Sequence, residues 1–218
     1  MIYEYPTTFE DKFGKESTTC HSDGSSLQIT LRGVVFEAPA FNLFELNERD
    51  KSSYSEKFEL SDNCIRGVFK VQIPLKVLNG KHHEKASLSL TFNHHTADTT
   101  EASLSYNNEV CSTSKPQVDV EQALMDIQAR LPKTCKIKSC ISCRYSGYHP
   151  VGNNDFGSLV CLEPLKEQLH QVQDKSSLIQ LMDQASGELQ FKSVQETYCC
   201  PNFDLPSESS WMYKSFDL

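Results

Sequence analysis

Along the first 110 or so residues, apolar side chains recur every second position, the pattern of strands that bury one face and expose the other. Leu27, Ile29 and Leu31 form one such run. Past Gly33 the parity moves to Val34 and Phe36, which places a bulge or sharp bend at the glycine. Ser22-Asp23-Gly24 upstream predicts a turn. The clearest unit is a hairpin: Phe69, Val71, Ile73, Leu75 and Val77 alternate toward Asn79-Gly80, and Ala86, Leu88, Leu90 and Phe92 alternate away. A two-residue Asn-Gly turn sets Ile73 opposite Ala86, Val71 opposite Leu88 and Phe69 opposite Leu90. Pro74 has no backbone donor, so its strand is expected at a sheet edge or bulged. Ala102, Leu104 and Tyr106 add a further short strand.

The pattern changes near residue 112, where Ser112-Thr113-Ser114-Lys115-Pro116 reads as a linker. A helix follows, capped by Asp119 with Gln122 three residues on. Its apolar face is Val120, Ala123, Leu124, Ile127 and Leu131, and Pro132 ends it. Pro164 can start a second helix bearing Leu165, Leu169 and Val172. Leu178, Ile179, Leu181 and Met182 mark a third, and residues 189–198 read as a strand. The stretch from Pro201 to Leu218 has no periodicity, which leaves a docked and a disordered tail both open. The expected fold is α+β: an antiparallel β-sandwich-like domain over residues 1–112, then a smaller helical, cysteine-rich module over 113–218 that can pack with it as one unit.

Composition narrows the class without naming an activity. The chain has 218 residues, 38% hydrophobic and 23% charged, which suits an ordinary globular protein. Its start, Met1-Ile2-Tyr3-Glu4-Tyr5-Pro6, lacks a basic segment followed by an apolar run, and no window has membrane-spanning length, so a cytoplasmic location is expected. Thiols are kept reduced there, and the nine cysteines are then metal ligands or buried small hydrophobes rather than a disulfide framework. A formal charge of -8 disfavours general affinity for nucleic acid or anionic membrane and suits solubility or a basic protein partner.

Cys140-Ile141-Ser142-Cys143 carries the candidate chemistry. Two cysteines at this spacing can present both sulfurs from one turn, and tetrahedral zinc then needs two more ligands. Cys161 and Cys199, with Cys200 as the alternate, can supply them. A site closed by four thiolates has no open position for water or substrate, so it predicts a structural Zn2+ and not a reaction. Lys133, Lys136, Lys138 and Arg144 surround the motif, and no acidic residue interrupts residues 132–148, as a dianionic centre would favour. Arg144 stands where zinc knuckles often carry glycine. Cys135 is a spare thiol.

Other chemistries find less support. His82-His83-Glu84 matches half of a zinc-deaminase signature, but Ser139 replaces the proline required before the cysteine pair. His82 and His83 fall at the hairpin tip and His94 and His95 at the far end of the returning strand, too far apart to share a metal. Cys140-x-x-Cys143 does not open a helix within a βαβ unit, which disfavours thioredoxin-like redox chemistry. His149 and His170 are the histidines nearest the cysteines, as a thiol nucleophile would require, but nothing in the sequence pairs them. A zinc ribbon binding nucleic acid through Lys133, Lys136, Lys138, Arg144 and Tyr145 or Tyr148 competes with simple charge compensation of the thiolates.

Cys140-Ile141-Ser142-Cys143-Arg144-Tyr145-Ser146-Gly147-Tyr148, then Asn153 to Gly157 and Cys161, then Val194-Gln195-Glu196-Thr197-Tyr198-Cys199, resembles an uncharacterised family of bacterial cytoplasmic proteins. That family has a Cys-x-x-Cys-x-Tyr-Ser-x-Tyr core, a Phe-Gly before a third cysteine and a Gln-Glu-Thr-Tyr-x-Cys-like end. Members are sometimes encoded beside polymorphic toxins, and the resemblance therefore implies an immunity role; the acidity of this chain makes a basic toxin the expected partner. The function expected is a non-catalytic protein-binding protein. An unrecognised or cysteine-dependent enzyme is the first rival, and a nucleic-acid-binding zinc module the second.

Overall fold

The computed structural model describes residues 2–46, 54, 56–95, 98–152, 156–185, 191–207 and 211–216. Its main body is an antiparallel sheet of β1 (Tyr3–Asp11), β2 (Gly14–Ser22), β3 (Leu27–Leu31), β4 (Val34–Ala38), β7 (Val68–Asn79), β8 (His82–Asn93), β9 (Thr99–Tyr106), β10 (Glu109–Ser112) and β11 (Cys135–Lys138). They run in the order β10-β9-β8-β7-β1-β2-β3-β4, with β11 pairing a second stretch of β7. β5 (Glu59–Ser61) and β6 (Cys64–Arg66) form a separate ribbon, and β12 (Ser146–Tyr148), β13 (Leu159–Cys161) and β14 (Lys192–Val194) form a small third sheet. There are two α-helices among the described residues, α1 (Val120–Arg130) and α2 (Lys175–Ala185). The sandwich expectation is met at the level of a mostly antiparallel β protein.

Alternation decides which side of the sheet is covered. In β7, Phe69, Val71, Ile73, Leu75 and Val77 are buried, while Lys70, Gln72, Pro74 and Lys76 between them are exposed. β8 repeats this with Leu88, Leu90 and Phe92. Eight phenylalanines, Phe156 among them, pack ring against ring beneath the covered face, with Phe9 and Phe69 centroids 4.8 Å apart, Phe41 and Phe92 at 4.9 Å and Phe36 edge-on to Phe58 at 5.3 Å. Each such pair adds about 0.5–1.5 kcal/mol beyond the area it buries.

The hairpin differs from its expected register. Val71 faces Leu90, Ile73 faces Leu88 and Leu75 faces Ala86, two residues along from the expected pairing. The turn is Gly80-Lys81, with Gly80 at φ +59, the left-handed first position that a type II′ turn requires. A slip of two leaves every side chain on its own face, which is why the apolar pattern could not detect it. Pro74 is also not on an edge strand. β1 pairs with β7 only at Val68–Val71 and β11 only at Lys76–Asn79, so Pro74 sits where its second ladder is open. Gly33 forms no bulge: Arg32 and Gly33, both at positive φ, make a tight turn joining Leu31 to Val34. Asn107 and Asn108 do the same before β10, a strand absent from the sequence reading.

α1 forms as expected. The Asp119 carboxylate accepts the Gln122 backbone N–H at 2.8 Å, and Val120, Ala123, Leu124 and Ile127 are buried, with α1 packed on β9. The helix expected from Pro164 is absent. Short 3-10 turns at Glu163–Leu165 and Leu169–Gln171 take its place, their backbone satisfied by single-turn hydrogen bonds. α2 confirms the third helix. Of the strand expected over 189–198, Lys192–Val194 is present, and residues 189–190 lie outside the described residues. The tail is docked where described: Tyr148 N–H donates to Tyr213 O at 2.8 Å and Phe216 is buried. One apolar core runs from Tyr5 to Phe216 across the expected boundary at 112, with a satellite cluster of Val160, Leu162, Leu165, Val172, Leu178 and Met182 beside it.

Candidate metal centre

β11 ends at Lys138, and the cysteine pair follows at once in a 3-10 turn, Cys140–Ser142. Polar contacts shape this turn. Ser142 Oγ accepts the Ser139 N–H at 3.3 Å and donates to Ile137 O at 2.5 Å, Ser146 Oγ donates to Cys140 O, and Cys143 N–H closes onto Cys140 O at 3.0 Å. The segment carrying the last two cysteines wraps around the outside. Cys140 N–H donates to Tyr198 O at 2.6 Å, Ile141 N–H to Glu196 O at 3.0 Å and Arg144 N–H to Asp204 O at 2.9 Å. Cys161 arrives from β13, opposite Ser146 on one side and Lys192 on the other.

Four thiols gather here. Cys140 and Cys200 are hydrogen-bonded to each other, and both also interact with Cys143 or Cys161 through their charge. The Cys200 thiol is held below its usual range, to about 6, by the Cys140 hydrogen bond, and Cys140 is pushed far up by the same bond and by burial. Burial raises Cys143 and Cys161 as well. Against that, Cys143 accepts backbone N–H groups of Asp204 and Tyr145, Cys161 accepts that of Glu163, and Cys200 that of Asn202. Three sulfurs thus each receive the N–H two residues ahead, a polarity suited to thiolate rather than thiol. Tyr145 performs this for Cys143 with no glycine at position 144.

Lys214 supplies a cation. Its Nζ donates to Cys143 O at 2.6 Å and to Ser146 Oγ at 3.3 Å. Burial lowers its pKa to about 8, while the charges of Cys143, Cys140 and Glu121 act to hold the proton. Sequence reasoning missed Lys214, because it lies in a tail with no periodicity. Of the adjacent pair, Cys200 contacts Cys140, whereas Cys199 lies within the field of Lys138 and Lys76. Among the described residues no group of three or more Cys, His, Asp or Glu side chains stands in metal-holding geometry.

The remaining candidates are placed elsewhere. Cys135 is buried in β11 with its Sγ 3.7 Å from Tyr106 OH. His83 contacts Lys138 at 3.2 Å, while His94 pairs with Asp98 at 2.8 Å and His95 with Glu59 at 3.5 Å. Arg144 and Tyr145 both turn to Asp204, at 3.3 and 3.4 Å. His149 accepts the Val151 N–H at 3.3 Å. Residues 153–155 of the Asn153 to Gly157 stretch lie outside the described residues.

A second buried feature was also missed. Glu196 is fully buried, its carboxyl meeting Tyr148 OH at 3.1 Å and Gly157 N–H at 2.8 Å, and burial pushes its pKa up to about 8. Its neighbour Gln195 accepts from Ser22 Oγ at 2.6 Å and donates its N–H to Gly24 O at 2.8 Å. The Gln195-Glu196-Thr197 segment therefore ties the cysteine region to β2. A run of polar residues reads as surface in sequence, and only the fold buries it.

Comparison with known proteins places the chain without assigning an activity. Residues 3–146 match the model of a family of unknown function, DUF6304, and the chain belongs to that family. The match spans the main sheet, α1 and the Cys140–Cys143 pair, while Cys161, Cys199 and Cys200 lie beyond it. No curated protein and no solved structure shows significant similarity to the chain. No described helix is long and apolar enough to cross a membrane.

Proposed function

We propose that this chain is a non-catalytic protein-binding protein whose C-terminal half is stapled by a structural zinc ion on Cys140, Cys143, Cys161 and Cys200. The observation that carries the metal reading is the convergence of three segments, the Cys140–Cys143 turn, β13 with Cys161 opposite Ser146, and the stretch after β14 whose Tyr198 carbonyl accepts the Cys140 N–H at 2.6 Å, with Lys214 alongside as counter-charge. Closing on zinc requires all four sulfurs to come to about 2.3 Å from the ion. A closed tetrathiolate leaves no reacting position, which argues for a scaffold. Net charge of -8 suits a basic protein partner, and the resemblance to toxin-linked proteins makes a basic toxin the first partner to test.

Metal analysis of protein purified without chelator is the direct test. About one zinc per chain, lost in Cys140→Ser and in Cys200→Ser but retained in Cys199→Ser, is the expected result. Metal-free wild type with four freely alkylated thiols would sink the staple.

The enzyme reading has one observation in its favour, a groove lined by His149, Ser158, Val160, Met182, Asp183 and Phe191. Cys161 follows Val160 but is not part of that lining, so the groove does not bring a thiol to the histidine.

A further inference from the structure

The uncovered face of the main sheet carries a row of lysines that the metal reading does not use. In the observed register Lys138 on β11 lies directly across from Lys76 on β7, and Lys76 directly across from Lys85 on β8. All three point to the solvent side, since Ile137, Val77, Leu75 and Ala86 beside them point to the core or its margin. Like charges directly opposite one another destabilise a sheet. Among the described residues none of the three is in an ion pair; Lys138 Nζ meets only His83 Nδ1 and the face of the Phe203 ring.

The row is more than counter-charge for the thiols. Cys199 feels Lys138 and Lys76, but Lys85 lies one strand further out, and Lys214 already serves the Cys140 and Cys143 side. Around the row the same face also carries Lys136, two residues along β11 from Lys138, and Lys70 further along β7, while Gln72, Ser87, Ser89 and Ser105 offer hydrogen bonds. Glu101 on the same face stands at the register of Thr91, six residues along β8 from Lys85, about 20 Å away.

We propose that this row is the docking site for a short acidic segment of another polypeptide. Three strands span only about 10 Å, which matches a few carboxylates in an extended chain and is too short a track for a polynucleotide. The protein's overall charge of -8 repels a long polyanion beyond the patch. Carboxylates laid along the row relieve the repulsion between the lysines, and the Ser and Gln side chains bond to the peptide backbone. The proposal stands independently of the zinc staple.

The test is fluorescence anisotropy with a labelled oligoglutamate peptide of about ten residues, and oligothymidylate of the same length as comparison. Wild type is expected to bind the peptide in low salt and to lose it as salt rises. The triple variant Lys76→Gln/Lys85→Gln/Lys138→Gln should weaken binding at least about tenfold, with metal content and circular dichroism unchanged. Lys15→Gln, on the same face two strands from β7, should bind as wild type does. Four results overturn the proposal: no binding by wild type, equal loss in Lys15→Gln, tighter binding of oligothymidylate, or loss of metal in the triple variant, which would make the row part of the thiol centre.

Discussion

Across β7 and β8 the inward positions are hydrocarbon or aromatic rings, whereas from Ser139 to Ser146, and again from Gln195 to Thr197, they are, Ile141 apart, hydroxyls, thiols, an amide and a carboxyl. The first kind of interior is held by area removed from water, which is non-directional and tolerant of register. The second is held by hydrogen bonds, each of which leaves a penalty of about 1–3 kcal/mol if its partner is lost. One chain thus contains a region specified by pattern and a region specified by partners. A metal would suit the second, because it adds strong directional bonds where apolar area is scarce.

The comparison breaks most visibly at the proposed zinc site. Structural zinc contributes about 10 kcal/mol or more to folding, so chelation or Cys140→Ser should open the cysteine region while β1–β10 keeps its strand signal. Trp211, the only tryptophan in the chain, packs against the satellite cluster beside β13 and reports on that region. In the chelated or Cys140→Ser protein its fluorescence should change at lower denaturant than far-ultraviolet circular dichroism. A chelator that leaves both curves in place would show that the polar contacts suffice alone. The sheet should respond to a different lesion. Phe69→Ala removes a fully buried ring with centroids 4.8 Å from Phe9, 5.3 Å from Phe41 and 5.8 Å from Phe44, at an expected cost of about 3–5 kcal/mol. Urea denaturation of the protein as purified measures it, and a loss under about 1 kcal/mol would mean the aromatic layer repacks.

The two regions were also unequally legible. Alternation in Phe69–Val77 and Leu88–Phe92 was enough to place both strands and their buried faces, because a period of two is the signature itself. It could not fix the register to better than two residues, nor show that β11 and β1 share β7 and leave Pro74 a gap. In the cysteine region the spacing marked Cys140, Cys143 and Cys161, yet the choice between Cys199 and Cys200 depends on which sulfur the Tyr198–Pro201 backbone turns inward. Lys214 and Glu196 were beyond reach, since a single charged residue in an aperiodic stretch carries no sign of burial. The helix expected from Pro164 failed because apolar spacing alone does not outweigh short turns that each satisfy their own backbone.

Glu196 turns this contrast into a pH effect. Its buried carboxyl ionises at about 8, against about 4.3 for an exposed glutamate. Between those values the folded chain holds a proton that the unfolded chain has released, so the group's contribution to stability declines as pH rises through the window and is lowest above about 8. Below about 4.3 both states are protonated and the group is neutral to folding. Glu196→Gln keeps the shape and can still bond Gly157 N–H and Tyr148 OH. Relative to wild type it should gain on the order of a few kcal/mol by pH 9 and change little at pH 5, in urea denaturation at a series of pH values. Parallel pH profiles for the two proteins would place the ionised carboxylate in a compensated site and remove the effect.

The smallest lesion is the most diagnostic of how the regions are joined. α1 belongs to both: Val120, Ala123, Leu124 and Ile127 are buried against the sheet side, while Glu121 accepts the N–H groups of Ser215 and Phe216 at 2.6 and 3.1 Å from the tail. Asp119→Ala removes the cap on Gln122 N–H and should cost about 1 kcal/mol, whereas Asp119→Asn keeps an acceptor and should cost less. If the continuous core makes the chain one cooperative unit, circular dichroism and Trp211 fluorescence shift together by the same amount. If fluorescence alone shifts, the tail and cysteine region open as a separate unit below the global transition. The apolar core from Tyr5 to Phe216 favours the first outcome, since frayed packing at α1 would be felt on both of its faces.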